Sequence, residues 1–397
     1  MPAKAALRIG IDGTCLGSRR GYGRFLREVL PCLLEDGGRH RYVVFLDRWT
    51  AERVGPLAVE TTLVDTTVGQ ADAASGRGNR SLRDLVAMGF AVARARLDVI
   101  YFPSVYSYFP VPSRVPVAVA FHDTIAERHG AVVFPNRRTR WLWNLKVGLA
   151  RRQAAVVVTV SEWSRRRLHE AFGIPLDEIH VALEAPAAVF MPSVDATERN
   201  RWLAARGVAA DEPYLLYVGG FNPHKNLGAL VDAFADATRL RPAHPLRLIL
   251  VGDWAGDVFH ADVGALRGRI ERAGLADRVL FAGFVPDEEL RHLYAGALAV
   301  VLPSLEEGFG LPAIEGAACG APAIATRRSP LPELLEGGGL FVDPDRAETL
   351  REAILRLVDE PELRDRLGAI ALAQVRKLSW RSAAEATRRA LEQAAGR

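Results

Sequence analysis

Apolar residues fall in short, nearly unbroken runs along most of this chain. They are LRIGI (7–11), RYVVFL (41–46), DVIYF (98–102), PVAVAF (116–121) and AVVVTV (155–160). Later come PYLLYV (213–218), LRLILV (246–251), RVLF (278–281), LAVVL (298–302) and PAIA (322–325). Runs without polar alternation suit strands covered on both faces. Between them lie stretches of helical period such as GRFLREVLPCLLED and NLGALVDAFADATRL. Strand then helix, repeated, predicts parallel βαβ units. Around EAPAAVFMPSVDA (184–196) the pattern lapses into proline and alanine, and no internal repeat stands out. The expected fold class is therefore α/β, with two doubly wound, Rossmann-like domains over 1–190 and 191–379. A last helix, 380–397, would start from Ser379 as its N-cap.

In such sheets ligands bind beyond the carboxyl ends of the strands, and with two domains the cleft between them is the expected site. The residues after each strand therefore matter most. PSLEEGFGLPAIEG follows LAVVL. Pro312 suits a first helical turn, so the N–H groups near Leu311 to Ala313 would face outward at a helix N-terminus that attracts phosphate. Gly308 and Gly310 permit close approach of a ligand. Glu307 and Glu315 would flank that anion site, which fits a polyhydroxylated ligand carrying phosphate. Capping acids on a plain strand–turn–helix are the structural alternative. GGFNPHKNL follows PYLLYV and puts Lys225 before a helix opened by Asn226, with His224 as a further donor. An exposed turn lysine is the alternative there. GDWAGD and AGFVPDEEL are further glycine-bearing strand ends pointing at the same edge. In the first half Gly21 and Gly23 precede a helix, His122 and Asp123 end PVAVAF, and Ser161 caps a helix with exposure to the cleft.

Composition narrows the function classes. Half the residues are apolar and a quarter charged, as in a soluble globular protein. Cys15, Cys32 and Cys319 are too scattered for a disulfide framework or a zinc site, which suits a reducing cytoplasm. The opening MPAKAALRIGIDG lacks a signal peptide's apolar stretch, and no run is long enough to span a bilayer. No nucleic-acid partner is expected. Charge is uneven: residues 1–192 hold 26 Lys and Arg against 18 Asp and Glu, while the rest holds 25 against 29. RRTRWLWNLKVGLARR (137–152) concentrates the excess and carries two tryptophans. A basic face with Trp can dock on an anionic membrane; a solvated helix with its Trp and Leu packed inward is the alternative.

Taken together, the loops resemble the large family of retaining glycosyltransferases that use the GT-B fold, family four in the sequence classification. The resemblance runs through GYGR (21–24), HD (122–123), TVSEWSRRRL (159–168), YVGGFNPHKN (217–226), VGD (251–253), VLFAGFVPDEELRHLYAGA (279–297), PSLEEGFGLPAIEGAACGAPAIA (303–325) and LSW (378–380). It implies that Glu307 contacts donor-sugar hydroxyls and Glu315 the nucleotide ribose. The backbone of Gly308, Phe309, Gly310 and Leu311 would bind sugar and diphosphate, and Lys225 would neutralise the leaving diphosphate. His122 would touch the donor sugar at the reaction centre, and Gly21 to Gly23 would lie near phosphates and acceptor. Gly283, Phe284 and Val285 would line the base pocket, and the final helix would cross back to the first domain. Many relatives pair the lysine with an arginine, either just before it or five residues before it. Here His224 and Gly220 hold those places, leaving Arg19, Arg20 or Arg24 to compensate.

The resemblance implies transfer with retained anomeric configuration from a nucleotide-diphosphate sugar to a saccharide or lipid-linked acceptor, with the departing phosphate as base. No cofactor and no metal site are expected, since Asp343-Pro344-Asp345 reads as a turn. GDP-mannose is the first guess for the donor, on the likeness of GGFNPHKNL to mannosyl-type members. A GT-B epimerase or phosphorylase and a non-catalytic nucleotide-sugar sensor are the rival readings. A Rossmann oxidoreductase would need GxGxxG after a strand with an acid ~20 residues on, which is missing.

Overall fold

The computed structural model describes residues 6–35, 37–69, 81–193, 195–253 and 263–396. The start of the opening stretch, part of GDWAGD, Val194 in the boundary segment and the last residue of the closing helix lie outside them. The chain forms two compact units. One comprises Met1–Gly130, Phe134–Glu184 and Ser379–Arg397; the other comprises Ala131–Val133 and Ala185–Leu378. The boundary expected at 190/191 thus lies at 184/185.

The first unit is built on seven parallel strands: β1 (Arg8–Asp12), β2 (Arg41–Asp47), β3 (Glu60–Val64), β4 (Val99–Phe102), β5 (Val117–Ala120), β6 (Ala154–Thr159) and β7 (Ile179–Val181). They lie in the order β3-β2-β1-β4-β5-β6-β7. The second unit has six, β8 (Tyr214–Val218), β9 (Arg247–Val251), β10 (Val279–Gly283), β11 (Ala299–Leu302), β12 (Ala323–Thr326) and β13 (Gly339–Val342), in the order β10-β9-β8-β11-β12-β13. Each apolar run became a strand within a residue or two. Three strands lay outside these runs: β3, whose ETTLV is largely exposed at a sheet edge, β7, only three residues long, and β13, four residues at the edge of the second sheet.

Helices cover the first sheet on both sides. On one side Met88 and Val92 of the Leu82–Arg94 helix share a buried cluster with Val147 and Ala150 of the Arg137–Gln153 helix, over Phe102 and Val119 of the strands. Elsewhere in the unit, the Gly21–Leu34 helix packs with the closing helix, Trp380–Ala395. That helix starts from the Ser379 cap. Trp380 meets the edge of Phe25 (6.0 Å between ring centres), Arg381 pairs with Glu35 at 3.0 Å, and His40 Nε2 lies 3.1 Å from Glu392. Tertiary contacts therefore tie the chain's end to its beginning.

The Arg137–Gln153 helix is anchored through Trp143, whose indole N–H donates to Glu127 at 2.7 Å. Glu127 lies in the short Ile125–Arg128 turn after β5. Burial pushes its carboxyl up to about 7 and the charge of Asp123 adds to this, against the Trp143 hydrogen bond and Arg151. The folded pKa exceeds the unfolded one, so the folded state keeps its proton longer. The stability this contributes is full below the ordinary carboxyl pKa and is lost as pH rises through about 7. Relative to Glu127→Gln, the parent should lose about 2.5 kcal/mol between pH 5 and 8. Melting temperatures of the two proteins across that range are the check, and parallel profiles would refute the assignment.

Candidate functional site

The second sheet reverses its winding between β8 and β11, so the loops after these two strands leave it side by side. Leu305 N–H donates to the His224 carbonyl at 2.8 Å, and Asn226 Nδ2 donates to the Pro303 carbonyl at 3.1 Å. Asn226 sits at φ 56°, a left-handed conformation that asparagine tolerates, at the start of the Leu227–Leu240 helix. Across the joined loops Lys225 Nζ lies 2.7 Å from Glu307 Oε1. The same oxygen accepts from Ser304 Oγ at 2.6 Å, and Glu307 N–H donates to the Arg328 carbonyl at 3.0 Å. Glu307 is 7% exposed, whereas the lysine side chain is 21% exposed. The two residues assigned from sequence to different parts of a donor are thus each other's partner here.

Beyond Glu307 the chain passes through Gly308, Phe309 and Gly310, all buried, into the Leu311–Ala318 helix. Gly310 has φ 92°, and a Cβ there would lie 2.8 Å from Leu331, so both conformation and space demand glycine. Pro312 occupies the first turn. The expected row of outward N–H groups is shorter than supposed: Pro312 has none, and Ala313 N–H donates to the Gly310 carbonyl at 3.0 Å. Of that set, Leu311 alone keeps its donor, among the described residues. Glu315 is 4% exposed, and its Oε2 accepts from the Tyr294 hydroxyl at 3.0 Å. Tyr294 was not singled out from sequence, and its wholly apolar helix face gave no sign of the hydroxyl's role.

The glycine-bearing strand ends do meet at one edge. Gly219 N–H donates to the Val251 carbonyl and Gly252 N–H to the Gly283 carbonyl. A Cβ at Gly252 would fall 2.0 Å from the Gly219 oxygen, which only glycine avoids. The Gly220 carbonyl accepts from the Tyr217 hydroxyl. At the next strand end Gly283 has φ 71°, Phe284 is half exposed and Val285 is buried. Of the residues expected around a base, Phe284 alone offers an exposed ring. Asp343 and Asp345 are engaged by Arg327 and Arg328, which accounts for them as charge partners in a turn. Among the described residues no group of three His, Cys, Asp or Glu is placed to hold a metal.

In the first unit the winding reverses between β1 and β4. The start of the Gly21–Leu34 helix that follows β1 meets the loop after β4 through Tyr22 and Tyr106, whose rings stack at 5.4 Å. Gly21 is exposed at the start of its helix, but Gly23 is buried. A Cβ on Gly23 would lie 2.2 Å from the Ser18 carbonyl oxygen, so packing of the first helical turn by itself demands glycine there.

His122 follows β5. Its Nε2 donates to the Pro103 carbonyl at 2.8 Å, and its Nδ1 lies 3.5 Å from Glu184 Oε1. Burial opposes charge on the ring, but Glu184 and the Pro103 carbonyl outweigh it and raise the His122 pKa. Burial likewise raises that of Glu184, against the pull of His122 and Arg24. Both ring nitrogens therefore face protein groups, while the expectation for this residue was contact with the donor sugar. Glu184 escaped the sequence reading because β7 is too short to show as a run; the acid just past HVAL was the available signal. Ser161 is an N-cap, accepting from Ser164 N–H at 3.0 Å, but it is fully buried rather than exposed. Ser164 Oγ donates to the His122 carbonyl at 2.8 Å, so this cap helps to place the histidine.

Comparison with known proteins agrees with this arrangement. Residues 198–374 match the family described as glycosyl transferases group 1, and residues 19–182 match glycosyltransferase family 4. The chain is 32% identical over 284 residues to the O-antigen chain mannosyltransferase B of Escherichia coli, a match covering 68% of this chain and 69% of that one. It is 33% identical over 207 residues to a D-inositol 3-phosphate glycosyltransferase of Corynebacterium jeikeium (strain K411), covering 51% of this chain and 49% of that one. Among solved structures it is similar to a sucrose-phosphate synthase from Thermosynechococcus elongatus (TM-score 0.74, 21% identity, 98% of each chain). It is also similar to HepE of Anabaena in complex with UDP and glucose (TM-score 0.74, 21% identity, 97% of this chain and 99% of that one). With its two parallel-sheet α/β units, the chain belongs to the glycosyltransferases of family 4 type and has the GT-B fold.

Proposed function

We propose that this glycosyltransferase moves a hexose, with retained anomeric configuration, from a nucleotide-diphosphate sugar to a saccharide or lipid-linked acceptor in glycan biosynthesis. Mannose from GDP-mannose is the first donor to test; the mannosyltransferase relative and the wording of GGFNPHKNL support that choice. The observation that carries the reading is the Lys225–Glu307 pair, held across two hydrogen-bonded loops beside the Gly310–Leu311 helix start.

The pair works as a charge exchange. Without donor, each group neutralises the other, and neither is left buried and unpaired. A diphosphate brought to the loops offers Lys225 a stronger partner, and the Leu311 N–H adds a dipole of the same sign. Glu307, released from the lysine but still held by Ser304, then accepts hydrogen bonds from sugar hydroxyls. As the bond at the anomeric carbon breaks, negative charge gathers on the diphosphate, where Lys225 is already placed. The departing phosphate oxygen takes the proton of the attacking acceptor hydroxyl on the same face. Glu315, oriented by Tyr294, is assigned to the ribose, and the Phe284 ring to the base. In the first unit His122, fixed by Pro103 and Glu184, is assigned to the donor sugar through its ring edge.

A panel of nucleotide sugars in a thermal-shift assay tests the reading first. The true donor at ~100 times its dissociation constant should add ~2.7 kcal/mol of stability, and labelled-sugar transfer then identifies acceptors. Turnover without acceptor, or only with inorganic phosphate, would instead mark an epimerase or a phosphorylase.

Glu307→Gln keeps the shape and removes the charge. It should lower transfer roughly 10- to 100-fold, the worth of a hydrogen bond or two to a carboxylate, while the protein stays folded. Transfer within threefold of the parent would remove Glu307 from the donor site.

Lys225→Met should lower transfer by roughly 100-fold or more, the scale of losing a group that meets developing charge. His224→Ala should cost much less, because the hydrogen bond that joins the two loops uses the residue's main-chain carbonyl, which alanine keeps. A larger loss for the histidine variant would reverse the two assignments.

Transfer should persist in EDTA, since Asp343 and Asp345 are committed to arginines and the diphosphate charge is met by Lys225. Complete loss restored by magnesium would contradict this.

A further inference from the structure

No helix among the described residues is long and apolar enough to cross a membrane. Two helices of the first unit nevertheless expose apolar stripes. The Arg137–Gln153 helix turns Trp143 and Val147 inward and leaves Trp141, Leu142, Leu145 and Leu149 in solvent, Trp141 at 62% exposure. The Leu82–Arg94 helix buries Met88 and Val92 and exposes Leu82, Val86 and Phe90. Both stripes repeat every four residues, so each is one continuous ridge along its helix.

The ridges lie on one side of the unit. Their inner faces share a single buried cluster over the same sheet face. Residues 108–112 touch both helices. Gln153 exchanges hydrogen bonds with the Val111 main chain at 3.0 and 3.1 Å, and a Cβ on Gly89 would lie 2.9 Å from the Pro110 carbonyl. With both inner faces on that sheet, both outer faces point away from it.

Charge selects the occupant. The Arg137–Gln153 helix contains no acid, and Arg137, Arg138, Arg140, Arg151 and Arg152 are all exposed. On the second helix Arg83 and Arg94 are exposed, while its one acid, Asp84, is buried and bound by Thr67. Apolar ridges bordered by arginine, without exposed acid on either helix, match an interface of acyl chains beneath anionic headgroups. A second copy of this chain would set the same positive border against itself.

We propose that this face seats the first unit on an anionic bilayer, with both helices lying in the plane of the interface. The inference goes beyond the transfer reaction and does not depend on it. The full chain is sedimented with vesicles of phosphatidylcholine alone or with phosphatidylglycerol added, at about 0.05 M and about 1 M salt, where screening differs strongly. Binding is expected to the acidic vesicles at low salt only. Arg138→Gln should weaken it about fivefold, and Phe90→Ser with Leu145→Ser at least about tenfold. Melting temperature, and stabilisation by nucleotide sugar, should stay as in the parent. Equal recovery in the supernatant with both vesicle types at low salt would overturn the proposal, as would serine variants that bind like the parent. Light scattering that showed a dimer abolished by the serine changes would reassign the face to a second copy of the chain. Because vesicle binding is read without donor or acceptor, its failure is distinguishable from failure of the transfer reading.

Discussion

The chemistry open to the second unit depends on β8 and β11 being neighbours. Parallel strands must be joined by crossovers, and the winding reverses once, between these two. Their loops consequently leave the same edge in contact, although Lys225 and Glu307 are 82 positions apart in sequence. A buried carboxylate at the start of a glycine-rich turn would be costly alone. The lysine and Ser304 remove that cost, and main-chain hydrogen bonds hold the loops in register. A diphosphate then needs only to exchange partners within a framework already set.

The first unit uses the same device with different residues. Its reversal between β1 and β4 brings Tyr22 and Tyr106 into a stack, and the next strand end supplies His122. The histidine is held on three sides: Pro103 at one nitrogen, Glu184 at the other, and the Ser161–Ser164 cap through its carbonyl. These partners come from the ends of three strands, β4, β6 and β7, around the histidine at the end of β5. Trp143 connects this region to the outer helix, meeting Tyr106 at 4.8 Å and Glu127 at 2.7 Å. The helix that carries the arginines and exposed apolar residues is therefore fastened beneath by the same group of side chains.

Glycine illustrates how one residue type serves unlike needs. Gly310 supplies a backbone conformation, Gly252 lets two strand ends touch, and Gly23 lets a helix start close against the turn before it. All three stand beside strand ends or helix starts, where a ligand would also favour glycine. Only the neighbours of the absent Cβ separate close packing inside the protein from approach to a ligand.

The sequence by itself determined the fold class, the strands of both sheet interiors and the loops that bear polar chemistry. Those follow from local pattern, because a strand covered on both faces must be apolar throughout, and a helix must begin with a cap or proline. Ser379, Ser161 and Pro312 were legible for that reason. The edge strands β3 and β13 and the short β7 were not, since exposure and brevity erase the pattern. Partnership was decided by tertiary structure alone. That Lys225 faces Glu307, that Glu184 and Pro103 occupy both nitrogens of His122, and that Trp141 points out while Trp143 points in all depend on which strands lie adjacent and which helix face meets the sheet. Spacing along the chain carries no information about distances across a crossover, and a helix with aromatic and basic residues on every side does not declare its inner face.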